Sequence, residues 1–217
     1  MSRAQNVKAQ NVIAIDGTFA SGKGSLAKRL AAHYGYHYLD TGTLYRAAGR
    51  DVLAVGGDPH DAVQATQAAK SIDPATLDDP FLKNSDVAAA ASKLAVHKEV
   101  RAALLDFQRS FAAKAPGAVL DGRDIGTVIC PDARVKLYID AAPAERARRR
   151  HVELSGYGED ISYETVAAQL AERDARDAGR AEAPLKPAQD SHLIDTTDLT
   201  LDEVFSRAVA IIDAINA

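Results

Sequence analysis

Short runs of branched apolar residues, each closed by an aspartate, punctuate this chain at Val12–Asp16, Tyr36–Asp40, Ala118–Asp121, Val135–Asp140 and His192–Asp195. Such brief apolar runs predict strands buried on both faces of a sheet. The stretches between most of them carry helical spacing instead. After the first run, Leu26, Ala27, Leu30 and Ala31 recur at one face until Tyr34 and the stop signal Gly35. The last helix opens with a capping box, Thr200 to Glu203, and continues with Val204, Phe205, Ala208, Val209 and Ile212 on one stripe. Strands alternating with helices predict an α/β fold: a five-stranded parallel sheet with helices on both faces. Ligands of open parallel sheets sit at the carboxyl ends of the strands, so some of Asp16, Asp40, Asp121, Asp140 and Asp195 are expected to face substrate or metal and others to cap helices.

Two segments break the periodicity. Residues 71–85, SIDPATLDDPFLKNS, are acidic and proline-bearing and read as an irregular connection or small flap. Residues 155–160, SGYGED, separate two arginine-bearing helical patterns and read as the tip of a lid.

Composition narrows the function classes. At 217 residues with 47% hydrophobic and 26% charged, the chain is expected to form a single domain around one sizeable core. A net charge of −4 supplies no basic field for general nucleic-acid binding, so an anion site must be built from placed arginines. The single cysteine, Cys130, forms no internal disulfide and is assigned to packing at a strand end, in keeping with a reducing compartment. The first eleven residues, MSRAQNVKAQN, are polar and read as neither signal peptide nor membrane anchor, and no apolar stretch is long enough to span a bilayer. A cytoplasmic protein, monomeric and without nucleic-acid or membrane partners, is the expectation. His33 and His37 are four apart, but Gly35 lies between them at a helix end, so they form no convincing metal pair.

The first strand runs straight into Gly17-Thr18-Phe19-Ala20-Ser21-Gly22-Lys23-Gly24-Ser25, a Gly-x4-Gly-Lys loop that opens a helix. Glycines allow the backbone to turn its N–H groups onto phosphate oxygens, Lys23 adds a mobile charge, Ser25 offers a hydroxyl to Mg2+, and the helix adds the positive end of its dipole. Gly24, between the lysine and the hydroxyl residue, is typical of nucleotide and small-metabolite kinases. Strand and helix on either side argue against a chance glycine turn.

Three further clusters suit the acceptor of a phosphoryl group. Asp40-Thr41-Gly42-Thr43-Leu44-Tyr45-Arg46 follows the second strand; Thr41 either caps the next helix or binds, and Arg46 is close enough to reach a phosphate there. Asp121-Gly122-Arg123-Asp124 follows the third, where Arg123 and Asp124 either bind a phosphate and a base or sugar or form a surface ion pair with each other; Asp121 could orient Mg2+ or its waters. Arg173, Asp177 and Arg180 fall at i, i+4 and i+7 and share a helix face, which reads either as a self-paired solvated surface or, with Arg146 and Arg148 to Arg150 before it, as a lid whose guanidinium groups offset phosphoryl charge.

In order along the chain, IDGTFASGKGS, LDTGTLYR, VRAALLDFQRSF, LDGRDIGTVICPDA, ERARRR and RDARDAGRAEAPLKPA resemble the bacterial cytidylate kinases, a family of nucleoside monophosphate kinases. The resemblance implies a P-loop kinase fold, a core of residues 11–60, 96–142 and 190–217, an acceptor-side insert at about 61–95 and a lid at about 143–182. It implies Mg2+-dependent transfer from ATP to CMP or dCMP. Carried over by position, Gly17 to Ser25 and Arg149 would bind ATP, with Ser25 on the metal. Thr41, Arg46, Arg101, Asp124 and Arg180 would contact the acceptor nucleotide, Asp177 its pentose, and Lys23, Arg123 and Arg173 would act at the phosphates.

The chain departs from that family's pattern in three places. Ala20 stands where many relatives have a third loop glycine, Thr18-Phe19 replaces a more usual proline and small residue, and 71–85 is too short for the strand-bearing insert of some relatives. Rival acceptors are UMP, AMP and shikimate. A non-catalytic nucleotide switch would need a guanine-reading Asn-Lys-x-Asp element, which the sequence lacks.

Overall fold

The computed structural model describes residues 11–217, so the expectation about the polar N-terminal segment falls, apart from Asn11, outside the described residues. Five strands, β1 (Val12–Gly17), β2 (His37–Asp40), β3 (Ala118–Gly122), β4 (Val135–Asp140) and β5 (His192–Asp195), form one parallel sheet in the order β2-β3-β1-β4-β5. The expected strands are all present. β2 begins one residue later than its pattern, and β1 and β3 each run one residue further, into a glycine.

Register explains where the ligand edge lies. Asp40 is level with Asp121, Asp16 with Gly122, and Gly17 with Ile139, so the ends of four strands meet at one rim. The side-chain alternation of β1 serves two cores. Ile13 and Ile15 pack with Leu26 and Leu30 of α1 (Lys23–Tyr34) and with Val204, Ala208 and Ile212 of α8 (Leu201–Asn216). Val12 and Ala14 face the other way, onto Leu120, Ile125 and Ile129. Ile15, Leu26 and Leu30 are wholly buried, and each such side chain contributes about 1.5–3 kcal/mol of transfer free energy. Cys130 belongs to this second core, after a π-helical turn at Ile125–Ile129 rather than at a strand end, which corrects its expected place; burial pushes its thiol up to about 11.

The capping box of α8 forms as expected, with Thr200 Oγ1 accepting from the Glu203 N–H and Glu203 accepting from the Thr200 N–H. Between β2 and β3 lie α2 (Thr41–Ala54), α3 (Ala62–Lys70), α4 (Ser85–Leu94) and α5 (Lys98–Ala112). Residues 71–85 are more ordered than their pattern suggests. Two 3-10 turns, Pro74–Thr76 and Pro80–Lys83, each start on an Asp-Pro pair whose aspartate accepts the N–H two residues on, at 2.9 Å from Ala75 and from Phe81. Proline has no N–H to strand at the first position of such a turn, so this spacing is locally self-capping. Leu82 anchors the segment against Ala47 and Val87.

After β4, α6 (Pro143–Gly156) and α7 (Tyr163–Gly179) pack together, tied by Arg146, whose guanidinium donates to both carboxylate oxygens of Asp174 at 3.1 and 2.7 Å. Among the described residues no helix is long and apolar enough to cross a membrane.

Candidate active site

At the rim of the sheet the chain from β1 to α1 makes its turn in very little space. A Cβ on Gly17 would stand 2.0 Å from the Ile139 carbonyl oxygen, so any side chain there would push β1 away from β4. A Cβ on Gly24 would press on the Asp121 carboxylate at 3.2 Å, which gives the unusual glycine after Lys23 a steric reason: it lets Asp121 approach the first turn of α1. Ala20 sits between them with φ 61, a left-handed conformation that glycine adopts without strain.

The loop is braced by side-chain hydrogen bonds, some its own and some from outside. Thr18 donates to Asp140 at 2.6 Å, Ser21 Oγ to the Thr18 carbonyl at 2.9 Å, Thr196 Oγ1 to the Ser21 carbonyl at 2.9 Å, and Arg146 to the Phe19 carbonyl at 3.3 Å. The first intrahelical bond of α1 runs from the Leu26 N–H to the Gly22 carbonyl, which leaves the preceding helix-start N–H groups to seek a partner elsewhere. An anion meets that need.

Facing the loop is a cavity of about 270 Å3 whose floor is the rim of β2 and β3 and whose walls come from α2, α4, α5 and α7. Basic side chains outnumber acidic ones along it, seven to five, in a protein that is acidic as a whole. Their pairing is specific. Arg123 donates to Asp177 at 3.0 Å and to the Gly122 carbonyl at 3.1 Å, while Arg173 stands 3.8 Å from the same carboxylate. Arg101 pairs with Asp124, and Arg46 donates to Asp40 at 2.6 Å and to Thr43 at 2.7 Å. Several donors remain buried without any partner: Nε of Arg46, Nε of Arg173, and Nε and Nη2 of Arg180. Buried guanidinium N–H groups are costly to leave unpaired, and all of these belong to residues lining one cavity, so the site is built for an anionic ligand.

Burial shapes the charges. Lys23 is pushed down to about 8, first by burial and then by Arg123. Arg173 is pushed down to about 9 by burial and again by Arg123. Asp121 is pushed up to about 7 by burial and by the neighbouring Asp40 carboxylate, whereas in Asp40 burial is outweighed by Arg46, Lys23 and a Thr43 hydrogen bond acting together, which hold the group at about 2. A phosphate entering here would favour the charged forms of Lys23 and Arg173.

A family model described as cytidylate kinase matches residues 13–214. The chain belongs to the cytidylate kinase family. It is 55% identical over 206 residues to the cytidylate kinase of Xanthobacter autotrophicus, covering 95% of this chain and 99% of that one. It is 52% identical over 206 residues to one from Rhodopseudomonas palustris, with 95% and 98% covered. Solved structures of similar fold include an uncharacterized protein from Eubacterium ventriosum (TM-score 0.54, 16% identity, 94% of this chain and 99% of that one) and a gluconokinase from Sinorhizobium meliloti (TM-score 0.51, 13% identity, 96% and 94%). At those identities the likeness is one of fold, that of a P-loop kinase.

Within this family member, the sequence-nominated residues divide into two groups. Phe19, Ala20, Gly22 to Ser25, Thr41, Arg46, Arg101, Arg123, Asp124, Arg173, Asp177 and Arg180 line the one cavity. Gly17, Thr18, Ser21 and Arg149 do not; they shape the loop. Arg149 spends its guanidinium on Glu145, Thr196 and the Ser21 carbonyl. Arg148 is exposed and paired with Glu145 and does not line the cavity. The surface pairing of Arg123 with Asp124 does not form either, because each has a partner from a distant segment. Thr41 does not cap α2: its hydroxyl donates to the Asp121 carbonyl at 2.7 Å, and Asp40 occupies the N-cap position.

The five strand-end aspartates also divide. Asp40 and Asp121 face the cavity, while Asp16 accepts the Ile125 and Gly126 N–H groups, Asp140 the Thr18 hydroxyl and Asp195 the Thr197 N–H. Sequence reasoning passed over Tyr38, whose hydroxyl donates to Asp121 at 3.1 Å, and the α4 wall of Ala88, Ala91 and Ser92. The run of small residues in VAAAASKL was the available signal for that wall.

Proposed function

We propose that this chain transfers the γ-phosphoryl group of Mg-ATP to CMP or dCMP, giving CDP or dCDP and ADP. The observation that carries the reading is the face-to-face arrangement: a glycine-lysine loop at a helix start on one side, and on the other a set of buried guanidinium groups with unspent N–H donors, in a chain of the cytidylate kinase family.

An oxygen of the acceptor monophosphate attacks the γ-phosphorus, its new P–O bond forming as the bond to the bridging β–γ oxygen breaks, so no covalent protein intermediate is needed. The loop residues Gly17 to Ser25 hold the donor phosphates through main-chain N–H groups, with Lys23 between donor and acceptor. Arg123 and Arg173 offset the charge that spreads over the transferring group, and their fixed positions avoid reorganisation as it moves. Arg46, Arg101 and Arg180 hold the acceptor, with Thr41, Asp124 and Asp177 on its base and sugar. The paired helices α6 and α7 cover the site and exclude water that would hydrolyse ATP.

The residues suit Mg2+. Ser25 and Asp121 both line the cavity and offer only oxygen atoms, the donor type that a hard cation takes. Bound there, Mg2+ would neutralise phosphate charge and keep the triphosphate extended.

The test is to mix the protein with Mg-ATP and CMP, UMP, AMP or shikimate and to identify the products. CDP is expected to dominate, and Lys23→Ala to lower turnover by about 100-fold or more. No CDP above the Lys23→Ala control rejects the transferase reading, and a tenfold preference for UMP or shikimate rejects the acceptor.

A further inference from the structure

Phe19 is the one large apolar side chain in the phosphate loop, at a position where the family resemblance calls for a small residue. Its ring is only partly buried and stands between the nucleotide cavity and a second cavity of about 220 Å3 between α4, α6 and α7. A phenyl ring that borders two cavities is not explained by burial alone, so its surroundings matter as well. They are cationic. The Arg173 guanidinium carbon lies 3.9 Å from the ring centroid, that of Arg150 lies at 5.3 Å and that of Arg123 at 6.0 Å.

Three guanidinium groups around one ring repel one another, and carboxylates only partly answer them. Asp177 is shared between Arg123 and Arg173, and Arg150 turns to Glu153. Arg173 has no hydrogen bond from its buried Nε. A carboxylate in the place of Phe19 would hold the arginines but cancel the charge they need for a phosphoryl group. An aromatic face attracts a cation through its quadrupole, carries no net charge, and leaves the N–H edges of the guanidinium free.

We propose that the side chain of Phe19 is a positioning residue for phosphoryl transfer: its π face holds the Arg173 guanidinium aimed into the nucleotide cavity beside Arg123 before the nucleotides bind, with Arg150 flanking the ring from the second cavity. The inference rests on the phosphotransferase reading above and adds a role that the phosphate-loop pattern does not assign to this position. A preset arginine stabilises charge developing in the transition state without first losing side-chain freedom, so the effect falls on kcat rather than on substrate binding.

Phe19→Leu is the decisive variant, because it keeps an apolar side chain of similar bulk and removes the ring. In steady-state assays with Mg-ATP and CMP it is expected to lower kcat about tenfold, the worth of one desolvated cation–π contact, with both KM values within about threefold of wild type. Phe19→Tyr keeps a π face and is expected to recover most of that loss. In an Arg173→Met background, Phe19→Leu is expected to add no more than about a twofold further loss, since a residue that acts through Arg173 has nothing left to position. Wild-type kcat in Phe19→Leu, equal losses in Phe19→Leu and Phe19→Tyr, or full additivity with Arg173→Met would each overturn the proposal. A wild-type protein that makes no CDP would instead overturn the phosphotransferase reading, so the two failures are separate.

Discussion

The most exposing perturbation is Asp177→Asn. The Asp177 side chain is 5% exposed and takes Arg123 at 3.0 Å and Arg173 at 3.8 Å on one oxygen, with Arg180 also acting on it. Asparagine keeps an acceptor for Arg123 but removes the negative charge that all three guanidinium groups share. Breaking a buried ion pair on one side costs about 3–5 kcal/mol, and the retained hydrogen bond places this change near the low end, about 3 kcal/mol. For a domain of this size that is a fall in Tm of about 6–12 °C.

Thermal unfolding followed by circular dichroism at pH 7 measures it directly. Inorganic phosphate is expected to stabilise the variant more than wild type, because it returns negative charge to the same guanidinium groups. The pH dependence follows from linkage. Burial alone would raise the Asp177 pKa, but Arg123, Arg173 and Arg180 together outweigh it and hold the group below its ordinary 3.8. A depressed folded-state pKa means that the stabilisation is complete above the unfolded value and is lost as pH falls through the folded one, so wild type and variant are expected to converge in acid below about pH 4. A variant within 2 °C of wild type at pH 7, on a scale where about 6 °C is expected, would refute the view that this carboxylate holds the guanidinium cluster together.

Other expectations can be checked on the same instruments. Ala20→Gly relieves a left-handed alanine, a cost of about 1–2 kcal/mol, against a glycine entropy penalty of about 0.5–1 kcal/mol, so urea denaturation should show a gain of about 0.5–1 kcal/mol; a loss would mean that φ 61 is not strained here. Asp16 is pushed up to about 6 by burial, although the Gly126 and Ile125 N–H groups pull the other way. Its folded form therefore holds a proton that the unfolded chain releases from its ordinary 3.8 upward, and the stability of wild type relative to Asp16→Asn is expected to fall between pH 4 and pH 6 and to level off above; a flat difference across that window would contradict it. Thr200→Ala removes half of the α8 capping box and should cost about 1 kcal/mol in the same denaturation experiment without a change in CDP formation.

The strands and the phosphate loop were legible because their physics is local. A strand of a parallel sheet covered on both faces must be apolar along its whole length and must end where the chain turns, so Val12–Gly17, Ala118–Gly122 and Val135–Asp140 announce themselves to within a residue. The two Asp-Pro turns of 71–85 are equally local, but they have no helical period, so the pattern showed only an irregular connection. The capping box of α8 needed nothing beyond its own four residues.

Which arginine meets which carboxylate was decided elsewhere. Arg123 and Asp177 are 54 residues apart and Arg101 and Asp124 are 23 apart, and no spacing rule joins them. Arg146, Arg148, Arg149 and Arg150 are near neighbours in sequence, yet one clamps Asp174 and the Phe19 carbonyl, one faces solvent, one braces Ser21 and one flanks the Phe19 ring. Successive residues on a helix point about 100° apart, and only the docking of α6 against the phosphate loop and α7 selects which directions meet phosphate, carboxylate or water. Sequence alone thus determined the sheet, the glycine-lysine loop and the inventory of charges, each of which rests on neighbours in the chain. Tertiary structure decided how those charges are shared, because pairing in a buried site is set by which groups packing brings within reach of one another and shields from water.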